Sequence, residues 1–268
     1  MKNPLVSVIV PTFNSEETLE TCFRSIQKQS YKNTELIVVD AFSSDNTKQI
    51  AERFDAKVFF LAAERSPARN LGSKQARGRY VCFIDSDMEL TTNVIEQCVA
   101  LSVFRNADAV IVPEESVGQS YVAKCKRLEK AMRMREDYGE APRFFNKGVF
   151  EFVGGYNENL VIGEDFELTQ HLREVGFTIG RCSSTIRHHE GHVSVRKIVA
   201  KLYYYGKTLP NYVRNEPSLA LKTSSPIRFA RNMRLLRREP AYFAGLCLLK
   251  LVEYGAYLAG AFSYVLSK

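Results

Sequence analysis

Short apolar runs separated by helical stripes fill the first ninety residues, and that alternation limits the chain to very few architectures. Leu5–Val10, Leu36–Val39, Val58–Leu61 and Tyr80–Ile84 are brief and rich in β-branched or aromatic residues, the signature of buried strands. Between the first two, Thr18, Leu19, Cys22, Phe23 and Ile26 recur at helical spacing behind Ser15, a candidate N-cap. Ser43-Ser44-Asp45-Asn46 opens a second helix over Thr47–Phe54, and Pro67–Ala76 reads as a third. Strands joined through helices make right-handed β-α-β units and a mostly parallel sheet covered on both faces. The expected class is therefore α/β.

Further along, the pattern predicts a helix over Asn93–Phe104, a strand over Ala109–Val112 and a basic amphipathic helix from about Gln119 to Arg135. Gly154-Gly155-Tyr156 opens a loop to Gly163-Glu164-Asp165, followed by a helix over Phe166–Val175 and strands over Thr178–Cys182 and Thr185–His188. From Ser194 the chain is helical, basic and increasingly apolar. Arg228, Arg231, Arg234, Arg237 and Arg238 precede Ala241–Leu266, where the only charges are Lys250 and Glu253. The formal net charge of +7 suits an anionic partner: a nucleoside diphosphate, an acidic lipid surface or nucleic acid. No nucleic-acid-binding motif accompanies it, so nucleic acid is not expected as a partner. Cysteines at 22, 82, 98, 125, 182 and 247 form no Cys-x-x-Cys and read as small core residues of a reduced compartment. No signal peptide is visible, since the first apolar run meets Pro11 too early.

The strand Tyr80–Ile84 ends in Asp85-Ser86-Asp87. Two carboxylates one residue apart, on the bend leaving a buried strand, can present both side chains to one hard cation. The competing reading is a plain turn, which Asp and Ser make well. No Gly-x-Gly-x-x-Gly follows the first strand, and no Gly-x-x-x-x-Gly-Lys-Ser/Thr occurs, which disfavours dinucleotide-dependent dehydrogenases and P-loop enzymes.

Order decides between these readings. Val6-Ser-Val-Ile-Val-Pro-Thr-Phe-Asn14, Glu35-Leu-Ile-Val-Val-Asp40, Ala68-Arg-Asn-Leu-Gly72, Asp85-Ser-Asp87 and Gly163-Glu-Asp165 occur in succession. Together they resemble the family 2 glycosyltransferases, inverting nucleotide-sugar enzymes with the GT-A fold, over roughly residues 5–206. The resemblance implies a Rossmann-like, mostly parallel sheet flanked by helices. It also implies a catalytic domain over 1–206 and a helical, basic and apolar extension over 207–268.

Position by position, it implies that Pro11, Thr12 and Asn14 line the nucleotide site and that Asp40 accepts hydrogen bonds from the base. Many members carry a second Asp after it; Ala41-Phe42 stands here. Arg69 and Asn70 match a segment near the nucleotide, where an Arg can meet a diphosphate with its planar fork. Asp85 and Ser86 match residues at the ribose and donor sugar, Asp87 the direct metal ligand, and Asp165 the catalytic base. In His188-His189-Glu190-Gly191-His192, His188 best fits the place where the family offers an imidazole to the metal or diphosphate. The implied cofactor is Mn2+ or Mg2+, and the implied partners are a UDP- or GDP-sugar and a hydroxyl acceptor. A non-catalytic nucleotide-sugar binding module on the same scaffold is the alternative; a far-side base at Asp165 argues against it. The C-terminal region is expected to associate with the cytoplasmic face of the cell membrane, peripherally or shallowly, which would suit a lipid-linked acceptor.

Overall fold

A computed structural model describes residues 3–134, 139–189, 195–215, 217 and 232–266. In chain order the elements are β1 (Val6–Thr12), α1 (Leu19–Gln27), β2 (Thr34–Asp40), α2 (Thr47–Arg53), β3 (Lys57–Phe60) and α3 (Arg65–Gln75). β4 (Tyr80–Phe83), β5 (Met88–Leu90), α4 (Val94–Phe104), β6 (Ala109–Ile111), β7 (Glu114–Val117) and α5 (Tyr121–Arg133) follow. Then come β8 (Pro142–Asn146), α6 (Lys147–Phe152), α7 (Glu164–Val175), β9 (Ile179–Arg181) and β10 (Ile186–His189). Helices α8 (Val195–Asn215), α9 (Met233–Leu236) and α10 (Pro240–Leu266) complete the described chain.

The chain forms two compact units. One comprises Met1–Glu114, Ala141–Glu158 and Leu168–His189; the other comprises Glu115–Glu140, Asn159–Glu167 and Glu190–Lys268. The units interleave in sequence.

In the first unit a seven-stranded sheet runs β3-β2-β1-β4-β8-β6-β9. β1 pairs in parallel with β2 and β4, and β2 with β3, whereas β8 is antiparallel to both neighbours. Both faces are covered, which is why these strands are apolar without alternation. Val6, Val8 and Val10 face a cluster with Leu19, Phe23 and Ile26 of α1 and Ile95 and Cys98 of α4. Ile9, Val81 and Phe83 face the opposite cluster with Ala68 of α3 and Leu168 and Leu172 of α7. Gly72 brings α3 tight against β1, because a Cβ there would lie 2.4 Å from the Ile9 Cγ2. At the N-terminal end of the sheet, Glu35 accepts hydrogen bonds from Ser7 Oγ (2.7 Å), Lys57 Nζ (2.8 Å) and the Arg77 backbone N–H (2.7 Å). Burial pushes its carboxyl up, but these donors prevail and bring it down to about 2.

Three details differ from the sequence reading. Ser15 does not cap α1: its carbonyl takes the Thr18 and Leu19 amides in a preceding turn, and the helix starts at Leu19. The segment from Arg143 to Phe152, which the sequence pattern leaves without an element, forms the greater part of β8 together with α6. Its apolar core is only Phe144-Phe145 between Arg143 and Asn146, too short to register as a strand. β5 (Met88–Leu90) and β7 (Glu114–Val117) likewise carry too few apolar residues to register.

In the second unit, Cys125, Leu128 and Met132 of α5 pack with Leu236 of α9 and Leu246 of α10. Beside them lies an ionic cluster. Glu129 Oε1 receives Lys250 Nζ (2.7 Å) and Arg133 (2.8 Å), and Lys250 also reaches Glu253 Oε2 (2.6 Å). Lys126 bridges Glu129 (3.1 Å) and Glu253 (2.5 Å). Burial pushes the Glu129 carboxyl up, but the cations of Arg133, Lys126 and Lys250 outweigh it and hold it well below the usual range. Lys250 and Glu253, the charges interrupting the apolar C-terminal run, are thus turned inward and paired.

Candidate active site

The first unit places its polar residues where an open parallel sheet collects ligands, at the carboxyl ends of strands where strand order reverses. The chain runs outward from β1 through β2 to β3, then crosses back to β4, so the reversal lies between β1 and β4. Thr12 ends β1, Asp40 ends β2, and Asp85-Ser86-Asp87 follows β4 on the same edge.

The loops after β1 and β2 are laced together. Asp40 is buried and accepts from Thr12 Oγ1 (2.7 Å), the Ser43 amide (2.8 Å) and Ser43 Oγ (2.6 Å). Asn14, in the left-handed region at φ 47°, accepts the Ser44 amide on Oδ1 (2.9 Å) and donates its own amide to Ser43 Oγ (2.8 Å). Pro11 is half-buried in β1. Ser15 Oγ meets Ser86 Oγ at 2.9 Å, tying the first loop to the carboxylate turn. Thr12, Asn14 and Asp40 therefore hold the rim in shape, while Phe13 and Phe42 are largely exposed on it.

Asp85 lies between two guanidiniums. Arg69 donates to Oδ1 at 2.7 Å and Arg143 to Oδ2 at 3.3 Å. Burial pushes the carboxyl up, but Arg69, Arg143 and Arg65 prevail and hold it well below the usual carboxylate range. Arg69 is fully buried, with its guanidinium 5.1 Å from the Tyr156 ring centroid. Its neighbour Asn70 fastens the Gly154-Gly155-Tyr156 turn: Oδ1 takes the Tyr156 amide (2.9 Å), and Nδ2 donates to the Tyr156 carbonyl (2.8 Å) and Glu158 (2.9 Å).

Asp87 is the open member of the pair, with 40% of its side chain exposed. β5 and β10 run antiparallel with Met88 opposite His188, which brings that histidine's Nε2 to 3.0 Å from Asp87 Oδ2. On the other side of β10, His189 Nε2 is 2.9 Å from Glu89 Oε2, as strand alternation requires. His192 lies outside the described residues.

Sequence reasoning missed Arg143 and Glu114. Arg143 Nε donates to Glu114 Oε1 (2.6 Å), and Glu114 Oε2 lies 3.8 Å from His188 Nδ1. A continuous line of polar contacts thus runs Arg69–Asp85–Arg143–Glu114–His188–Asp87. The partners come from β7 and β8, far from the Asp-Ser-Asp turn in sequence. The available signal was weak: one charged residue at the margin of each short apolar segment.

Among the described residues no three His, Cys, Asp or Glu side chains gather as a complete metal site. Asp87 and His188 nevertheless fit part of one. Asp85, Asp87 and Glu114 offset Arg69, Arg143 and Arg65, and Asp87, the exposed carboxylate, would repel an arriving diphosphate. A hard divalent cation held by one carboxylate and one imidazole would relieve that repulsion.

Asp165, in the second unit, is half-exposed in the first turn of α7, beside the buried Glu164. Gly163, at φ 78°, offers its carbonyl to the Phe166 and Glu167 amides and starts the helix.

Residues 7–152, over half the chain, match the model of Glycosyl transferase family 2. The chain belongs to that family. Among curated relatives of this family 2 member, WfgD of Escherichia coli is 34% identical over 136 residues, 47% of this chain. WfgD is named as a UDP-Glc:alpha-D-GlcNAc-diphosphoundecaprenol beta-1,3-glucosyltransferase, and the match spans about half of it, 54%. A Campylobacter jejuni GalNAc(5)-diNAcBac-PP-undecaprenol beta-1,3-glucosyltransferase is 27% identical over 252 residues, 79% of this chain and 81% of that one. Among solved structures, the mannosyltransferase PcManGT of Pyrobaculum calidifontis, in complex with GDP-Man and Mn2+, matches with a TM-score of 0.65 at 17% identity. It covers 100% of this chain and 89% of its own, and shows that this family 2 chain has the GT-A fold.

Proposed function

We propose that the protein is a metal-dependent inverting glycosyltransferase that moves a sugar from a UDP- or GDP-sugar to a hydroxyl acceptor. The observation that carries this reading is the Asp85-Ser86-Asp87 turn at the sheet's switch point, with His188 Nε2 3.0 Å from Asp87. Asp87 and His188 would hold the divalent cation, Mn2+ or Mg2+, whose positive charge would offset that of the diphosphate leaving group. Asp85, fixed between Arg69 and Arg143, orients the ribose and donor sugar, with Ser86, Arg69 and Asn70 shaping that side. Pro11, Thr12, Asn14 and Asp40 shape the nucleotide rim. Asp165 takes the proton of the acceptor hydroxyl as that oxygen attacks the anomeric carbon. One direct displacement inverts the anomeric configuration. The two relatives' names, each with an undecaprenol-linked acceptor, support a lipid-linked acceptor or a cell-surface glycan precursor here. Work on such an acceptor suits a C-terminal region attached to the cytoplasmic side of the membrane. The exposed Arg234, Arg237 and Arg238 support that attachment; Arg228 and Arg231 lie outside the described residues.

A thermal-shift series with UDP, GDP and their sugars, with and without Mn2+, tests the donor and metal. A shift that needs both nucleotide and Mn2+ is expected; no shift with either nucleotide would overturn the reading. Asp165→Asn should bind donor and metal as the parent does and lose transfer by roughly a hundredfold or more. Nearly full activity would remove Asp165 as the base, since Asn starts a helix about as well as Asp.

A further inference from the structure

α10 is built inside out. Its inward face carries Lys250 and Glu253, paired with α5 as described, and its exposed residues carry no charge. Leu248, Leu251, Leu258, Phe262, Val265 and Leu266 are all exposed, from 62% to 71% of their surface. At 100° per residue, the exposed positions from Ala244 to Leu266 fall within an arc of about 160° along nearly the whole 27-residue helix. A contiguous apolar face of this length on a basic protein needs a cover.

The helix beside it decides how that cover lies. A Cβ on Gly206 of α8 would lie 2.3 Å from the Tyr257 carbonyl oxygen, and one on Gly260 would lie 2.1 Å from that of Tyr203. The crossed pairs mean that α8 and α10 run antiparallel in backbone contact. α8 has 21 residues, roughly 32 Å, about the thickness of a bilayer's hydrocarbon core. Arg196, Lys201, Lys207 and Arg214 are exposed along all of it. A bilayer crossed by α10 would be crossed by α8 too, with Lys201 and Lys207 in its middle.

Resting on the membrane attachment proposed above, we infer that α10 lies in the plane of the membrane surface and does not cross it. Its uncharged arc meets the acyl chains, and the cations of α8 meet anionic headgroups.

Cys247 supplies the probe, since it is the exposed cysteine and the other five are buried. Positions 258 and 265 follow Cys247 at three and five turns, so the three lie on one line of the helix spanning about 27 Å. The full chain is labelled with a fluorophore at Cys247, or at Leu258→Cys or Val265→Cys with Cys247→Ser. Depth is read by quenching from lipids spin-labelled at graded positions, in phosphatidylglycerol/phosphatidylcholine vesicles. The expected result is three similar shallow depths, roughly 5–10 Å below the headgroups. Depths differing by about 20 Å or more would show a crossing helix and overturn the inference while leaving membrane attachment intact. Failure of the unlabelled full chain to sediment with the vesicles would overturn both. Self-association without vesicle binding would assign the face to a second copy, with the same consequence. Lys207→Gln with Arg214→Gln, both on the side of α8 nearer α10, should weaken binding to phosphatidylglycerol vesicles about tenfold or more and leave neutral vesicles unaffected. Equal loss on both vesicles, or none, would remove α8 from the headgroups.

Discussion

Asp85 and Asp87 stand two residues apart and have opposite surroundings. Asp85 is committed to Arg69 and Arg143, with only 18% of its side chain exposed, whereas Asp87 faces outward with a single imidazole against it. Their substitutions should therefore separate. Asp87→Asn should keep stability within about 0.5 kcal/mol of the parent, as exposed substitutions do, and lose Mn2+-dependent binding of UDP or GDP in calorimetry. Unchanged affinity would remove Asp87 as a ligand. Arg69→Met leaves the Asp85 carboxylate short of its closest partner in a buried place and should cost about 3 kcal/mol in urea denaturation. The Asp-x-Asp spacing was legible in the sequence. The identity of its partners was not, because Arg143 and Glu114 reach the turn through strand pairing that no local pattern announces.

The elements that were legible are those with a sustained period: β1 to β4 as apolar runs, α1 as a stripe, α10 as a long apolar helix. β8 escaped notice for a physical reason. Wedged between β4 and β6, it needs only Phe144 and Phe145 inward to hold its place, and Arg143 and Asn146 flank them. Yet it is the strand that delivers Arg143. The Gly154-Gly155 turn was legible as a loop but not as the clamp formed with Asn70. Both glycines have positive φ, 86° and 72°, but only a Cβ on Gly155 meets a neighbour, Asn70 Oδ1 at 2.7 Å. Gly154→Ala should cost about 1 kcal/mol, from the left-handed backbone alone. Gly155→Ala should cost clearly more, because the pinned amide cannot move aside without releasing Tyr156 and Glu158. Melting temperatures of the two variants rank them.

At the scale of the whole molecule, the paired carboxylates withdrawn from solvent carry most of the acid response among the described residues. Glu35, Asp85 and Glu129 are all depressed, the first to about 2. A depressed carboxyl leaves the unfolded chain binding more protons than the folded one between the two values, so stability rises with pH there. For Glu35 the window runs from about 2 to the ordinary glutamate value near 4.3. Stability in urea should climb as pH rises through that range and level off above it. A flat profile would mean that these ion pairs persist in the unfolded chain. The net charge of +7 grows as carboxylates protonate, which steepens the acid limb through self-repulsion. α10 has a practical consequence at this scale. Its charges point into the fold and its oily side chains point away, so the adhesive surface and the folding information occupy different residues. Gln or Lys at Leu251, Leu258 and Phe262 should yield a protein that can be purified and crystallised without detergent, with the first unit and Asp165 unaltered in sequence.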